Sequence, residues 1–323
     1  MEKQQDAKTA DNDILSGDRP QYDKAAKKFL SKRRLLARIL HYLVPEFRRV
    51  SLKEIEETCI VGEPHVSEVP VDPGQTNHAF PPEIRGAAQE QSEDAEGTIY
   101  FDIFFYAKLP QNGKIIKFIV NLEAQKDIPT AYPLMKRVEY YGSRLVSSQK
   151  ERDFVKSDYG SICKVYTIWL CFKTPEGHGS SINLYRPHEE HIFGDYEENP
   201  DDYQLSNAIV AYIGDQRTEN TLLNLLRLIF KENLNGAEKR KLLEQEYDMK
   251  LTEDMGEELN TMCNLSEGIF ESGITKGKSE GMELTMRIWK MLTAKKPFAD
   301  IAKETQISLD EVRKIAQGFG IAY

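Results

Sequence analysis

GTIYFDIFFYAKLPQNGKIIKFIVNLEAQK, residues 97–126, holds two β-rich runs joined through Gln111-Asn112-Gly113-Lys114. Asn-Gly between apolar strands is the strongest short-range signal for a hairpin, because both residues tolerate the positive φ that a tight turn requires. Along the second run Ile116, Phe118, Val120, Leu122 and Ala124 alternate with Lys117, Ile119, Asn121, Glu123 and Gln125. The first set reads as a core face and the second as a mostly polar one. The first run is apolar or aromatic from Ile99 to Tyr106 except at Asp102. A two-residue turn at Asn112-Gly113 sets Asp102 opposite Glu123 and Tyr100 opposite Gln125, while Pro110 offers a longer loop that would shift the pairing. Facing residues have Cβ atoms roughly 4.5–5.5 Å apart, so two carboxylates there repel each other. A divalent cation held by oxygens of both strands is the simplest compensator. The plainer alternative sets both acids on a solvated face, paired with Lys117.

Around this hairpin the sequence predicts helices and further strands. Residues 1–24 are polar and expected to lack a fold of their own. From about Ala25, Phe29, Leu35, Leu36, Ile39, Leu40 and Leu43 form a helical stripe that ends at Val44-Pro45. Ser51 and Glu54 stand at capping-box spacing. Residues 62–97, rich in Pro, Gly, Asp and Glu, read as a long loop. After the hairpin, Leu134, Val138, Tyr141 and Leu145 mark one face of a helix, with Arg137, Tyr140 and Arg144 on another. KVYTIWLCF, INLYR and SNAIVAYIG read as strands, and from Thr218 the chain turns helical. The expected architecture is α/β (α+β): a central mixed sheet flanked by helices, with an all-α C-terminal extension. The expected division is 1–24, a main domain over 25–215, a helical extension over 216–295 and a helix-turn-helix-like module over 296–323.

With 323 residues, 40% hydrophobic, the chain can bury a substantial core. A net charge of −9 does not announce a nucleic-acid binder; the charge near a site matters more than the total. Four scattered cysteines without CxxC spacing read as buried thiols rather than a disulfide frame. No stretch reaches the length of a membrane span and no leader is visible at the N-terminus, so a cytoplasmic protein is expected.

Asp102, the Asn-Gly turn and Glu123-Ala124-Gln125 together resemble the metal-binding hairpin of the PD-(D/E)XK nucleases. DIFFYAKL, FIVNLEAQKD and YPLMKRVEYYGSRL resemble, more narrowly, the recombination-promoting nucleases, also described as PD-(D/E)XK family transposases, over roughly residues 25–215. The resemblance implies a restriction-endonuclease-like core and hydrolysis of DNA phosphodiesters with Mg²⁺ or Mn²⁺. Asp102 and Glu123 would hold the metal and Gln125 would orient water or phosphate. Gln125 stands where the superfamily motif has lysine, a replacement common in the narrower group, and no proline precedes Asp102. Lys126 alternates to the opposite strand face. The superfamily also draws a glutamate from the first helical region, where Glu46, Glu56, Glu57 and Glu63 compete and Glu63 is preferred. Arg137 and Arg144, two turns apart, would contact flanking phosphates, as would Lys126 more weakly.

Other motifs carry less. His188-Glu189-Glu190-His191 is one residue short of HExxH and reads as a solvated loop. The last helix, SLDEVRKIAQ, opens on Asp310 and Glu311, which meet phosphate badly, so the C-terminal module reads as a packing or homo-oligomerising element. The rival to an endonuclease is a catalytically silent nuclease fold that binds DNA or protein; an all-helical scaffold would leave Asp102 without a purpose.

Overall fold

The computed structural model describes residues 21–64, 102–111, 114–126, 128–129 and 131–321. Most of the predicted 62–97 loop, Tyr100 and the two turn residues Asn112 and Gly113 lie outside these.

The first helical stripe is two helices. α1 occupies residues 21–30, so helix is present before the predicted start at Ala25, and α2 is Arg33–Leu43. At the break the Ser31 hydroxyl donates to the Lys28 carbonyl (2.8 Å), competing with the helical ladder. Ser51 caps the short α3 (Leu52–Glu54) by accepting from Glu54 N–H, and a wide π-type turn, Ile55–Cys59, leads into β1 (Ile60–Val61).

The hairpin forms as β2 (Ile103–Gln111) and β3 (Lys114–Gln125). Gln111 pairs with Lys114 and Ile103 with Leu122, the two-residue-turn register; Pro110 pairs within the ladder opposite Ile115 and does not extend the loop. α4 (Leu134–Ser147) then crosses over to β4 (Lys164–Cys171), which runs parallel to β3. β5 (Ser181–Tyr185), the short α5 (Pro200–Tyr203) and β6 (Ser206–Tyr212) complete a six-stranded mixed sheet of order β1-β2-β3-β4-β6-β5.

Both faces of the sheet are covered. Phe118, Val120 and Leu122 of β3 pack with Leu36, Ile39 and Leu40 of α2 in the main core. On the other face Ile119, Val165 and Trp169 pack against Val138, Tyr141 and Leu145 of α4. The second face of β3, expected to be mostly polar, is therefore a buried face: Asn121 and Glu123 are sealed beneath α4. Gly142 permits that close approach, since a Cβ there would lie 2.6 Å from Ser206 Oγ. Gly142→Val should destabilise the protein by roughly 1–3 kcal/mol in urea unfolding, whereas Gly142→Ala, needing only a rotation of Ser206 and gaining helix propensity, should cost less.

The sheet-bearing unit spans Tyr22–Cys263, past the predicted boundary at 215. The reason is apolar burial: Leu222, Leu225, Leu226 and Ile229 of α6 (Thr221–Phe230) and Leu243 of α7 (Gly236–Tyr247) complete the main core. The stretch with spaced glycines between Glu253 and Thr293, open in sequence to a polar helix or a linker, is the continuous helix α8 (Glu253–Thr293). A second compact unit includes Asn264–Tyr323. In it Ile288 and Leu292 pack with Ile301 of α9 (Phe298–Thr305) and Val312 and Ala316 of α10 (Leu309–Gly318). All four cysteines are buried free thiols. Among the described residues no helix is long and apolar enough to cross a membrane.

Candidate metal and active site

The two acids meet at the carboxyl end of β3, where the β2–β3 ladder stops. Asp102 N–H donates to Glu123 Oε1 (3.2 Å), and Ala124 N–H donates to Asp102 Oδ2 (2.9 Å). Side chains thus take over the ladder's last hydrogen bonds, which fixes both carboxyl groups. The carboxyl ends of parallel strands are the usual place for ligands in α/β sheets, and β3 and β4 run parallel here.

Both groups are buried, Glu123 almost completely. Burial, reinforced by the charge of Asp102, pushes the Glu123 carboxyl well above the ordinary range, while Arg137 pulls the other way. Asp102 is raised too, by burial first, with Lys27 opposing. Lys27 Nζ of α1 lies 3.1 Å from Asp102 Oδ1, the two side chains 15% and 10% exposed. Arg137 stands over the rings of Tyr141 (5.1 Å) and Trp169 (5.3 Å) and donates to the Tyr141 hydroxyl (3.0 Å). Lys27 thus pairs with Asp102 directly, while the half-buried Arg137 acts on Glu123 by charge at longer range.

Several polar atoms around Glu123 have no protein partner among the described residues: both amide atoms of Asn121, Thr167 Oγ1, Trp169 Nε1 and Arg137 Nε. Asn121 favours the ionised Glu123 through proximity, but its amide completes no hydrogen bond of normal geometry. The register places Asn121 beside Thr167 and Glu123 beside Trp169. Groups of this kind are normally satisfied by water or an ion. The chain matches no protein-family model, no curated protein and no solved structure with which it was compared. What the site does has to be read from its own geometry.

The structure brings Asp102, Glu123 and Arg137 together, but not every expected residue with them. Gln125 is half-buried two residues beyond Glu123, its carbonyl accepting from Phe172 N–H (2.8 Å). Lys126 is exposed and Arg144 half-buried. Arg137, expected at the surface, turns inward to the acids, because its ring contacts draw it under α4. Glu63 is exposed and lines a basic cleft of about 570 Å³ with Lys24, Lys28 and Lys32. Glu46 pairs with Lys164 (3.0 Å) and the Tyr166 hydroxyl (2.7 Å), and Glu56 with Arg34 (3.0 Å). Among the described residues no three His, Cys, Asp or Glu side chains gather closely enough to hold a metal. The 188–191 segment lies on a largely exposed loop.

Lys27 is the residue that sequence reasoning missed. With the helix taken from Ala25, Lys27 resembles its neighbour Lys28. Only with the helix running back to Tyr22 do Tyr22, Ala25, Ala26, Phe29 and Leu30 define a buried side that Lys27 borders.

Proposed function

We propose that the chain is a metal-dependent endonuclease hydrolysing DNA phosphodiesters, of the recombination-promoting type. The observation that carries this reading is the pair Asp102 and Glu123, fixed at the end of β3 by the bond from Asp102 N–H to Glu123 and the bond from Ala124 N–H to Asp102, amid polar atoms without partners among the described residues. The donor set fits a magnesium-type ion, which takes one or two carboxylates and keeps several waters, so a third protein ligand is not required. Asp102 and Glu123 would hold it. When bound, such an ion supplies Lewis-acid polarisation of phosphate and a more acidic water. Lys27 adds the positive charge that Gln125 cannot, and Arg137 holds Glu123 by charge. Gln125 can orient water or phosphate through its amide without adding charge.

A second reading has its own support. Lys27 and Arg137 already compensate the two acids, as they would in a catalytically silent fold that binds DNA or protein. Supercoiled plasmid incubated with Mg²⁺ or with EDTA, using the wild type, Asp102→Ala and Glu123→Ala, separates the two. Nicking that needs Mg²⁺ and is lost in both variants is the expected result. Nicking unchanged in the variants would sink the site assignment, and metal-independent DNA retention without cutting would favour the silent fold.

A further inference from the structure

The connection from β5 to α5 carries near its middle two large side chains that folding does not use. Ile192 is 97% exposed and Phe193 99% exposed. The loop presenting them is braced: Glu198 N–H donates to Glu189 Oε2 (3.0 Å), and Gln204 Nε2 donates to the Pro187 carbonyl (3.2 Å). Gly194, at φ +85°, turns the chain immediately after Phe193. An apolar tip held in a set shape loses little entropy on docking.

The chemistry around the tip narrows what it can meet. Residues 187–203 carry seven carboxylates (Glu189, Glu190, Asp195, Glu197, Glu198, Asp201 and Asp202) and no lysine or arginine. Such a loop is repelled by nucleic acid and by anionic membrane surfaces. It suits an apolar recess with a basic rim.

The C-terminal unit carries such a recess. A groove of about 400 Å³ is lined by Gly281, Met282, Thr285, Met286, Trp289 and Phe319. Met282 is 66% exposed and Met286 58%, with Trp289 and Phe319 each nearly half exposed. Lys278 is exposed on the groove's side of α8, one helical turn before Met282; Lys290, one turn after Met286, is exposed on the groove's flank, about 110° round the helix from its centre and near the exposed Glu283. Methionines adapt to varied apolar partners.

We propose that the chain self-associates head to tail, the Ile192-Phe193 tip of one copy entering the Met282/Met286/Trp289 groove of a second. Charge complementarity between the acidic loop and the lysine-flanked groove favours a second copy as the occupant. Reciprocal insertion closes a dimer; insertion in one direction extends a chain. With two anchor residues the contact is of the small, reversible class.

Sedimentation of the full-length protein at roughly 5–200 µM spans the affinities of such contacts. The expected result is concentration-dependent association of the wild type. It should be lost in the Ile192→Ser/Phe193→Ser protein and in the Met282→Ser/Met286→Ser protein, and weakened about tenfold or more by Lys278→Glu with Lys290→Glu. Exposed positions of this kind leave the fold intact, which an unchanged Tm checks. Mixing the tip and groove variants should restore a hetero-complex, since one retains a groove and the other a tip. Trp289 reports directly, because the chain's other tryptophan, Trp169, is fully buried; its emission should shift to the blue on association. A wild type that stays monomeric across this range, a tip variant that associates normally, or mixed variants that form no complex would each overturn the proposal.

Discussion

Glu123→Gln should make the metal-free protein more stable at neutral pH and at the same time abolish the proposed Mg²⁺-dependent cleavage. Burial and the neighbouring Asp102 raise the Glu123 carboxyl well above its ordinary value. The folded protein therefore holds that proton more tightly than the unfolded chain does. Its stabilising contribution is complete below the ordinary glutamate range, about pH 4.3, and is lost as pH rises through the elevated folded value. Glutamine keeps a carbonyl oxygen to accept Asp102 N–H without ever ionising, so the variant lacks this loss. Arg137 keeps its bond to Tyr141 and its ring contacts in the variant. In EDTA at pH 8 the gain should be on the order of 1 kcal/mol, read as a rise of roughly 2–4 °C in Tm, and should vanish near pH 4. Cleavage should fall by more than about 100-fold, because loss of even an outer metal-site partner typically costs 10–100-fold. Opposite signs for stability and activity mark a site held at a cost to the fold. A variant that is less stable than the wild type at pH 8 would mean that Glu123 is a structural anion serving Arg137.

The hairpin register was legible because two local rules agree on it. Asn112-Gly113 fixes the loop length, and alternation from Ile116 to Ala124 fixes the face, so the pairing Ile103–Leu122 follows. The position of the two acids came with that register. Their burial did not, because alternation reports one strand and says nothing of what covers its other face. α4 does so, and it turns Arg137 from an expected surface contact into a cation that acts on Glu123 by charge. Lys27 was hidden for a related reason: its role depends on where α1 begins and on packing between segments 75 residues apart. The 215 boundary failed similarly, since an amphipathic helix such as α6 shows that it needs a core without showing which one.

Lys27→Met should destabilise the protein by about 3 kcal/mol at pH 8, the lower end of the cost of breaking a buried ion pair, and lower Tm by roughly 6–12 °C. Methionine retains most of the aliphatic length, so packing is largely preserved and the lost charge dominates. Without Lys27, Asp102 keeps the Ala124 N–H and the more distant charge of Arg137. Its carboxyl, already raised by burial, rises further in the variant. Stability then declines more steeply as pH increases, so the gap from the wild type should widen from pH 5 to pH 8. Adding Asp102→Asn removes the stranded charge, and the amide oxygen can still accept from Ala124. The double variant should therefore recover most of the loss, and urea unfolding of the four proteins yields the coupling energy directly. A coupling below about 0.5 kcal/mol would class the pair with solvent-screened surface bridges. It would also leave Asp102 without its compensating cation, and the case for Lys27 as the charge that replaces the missing lysine at Gln125 would fall with it.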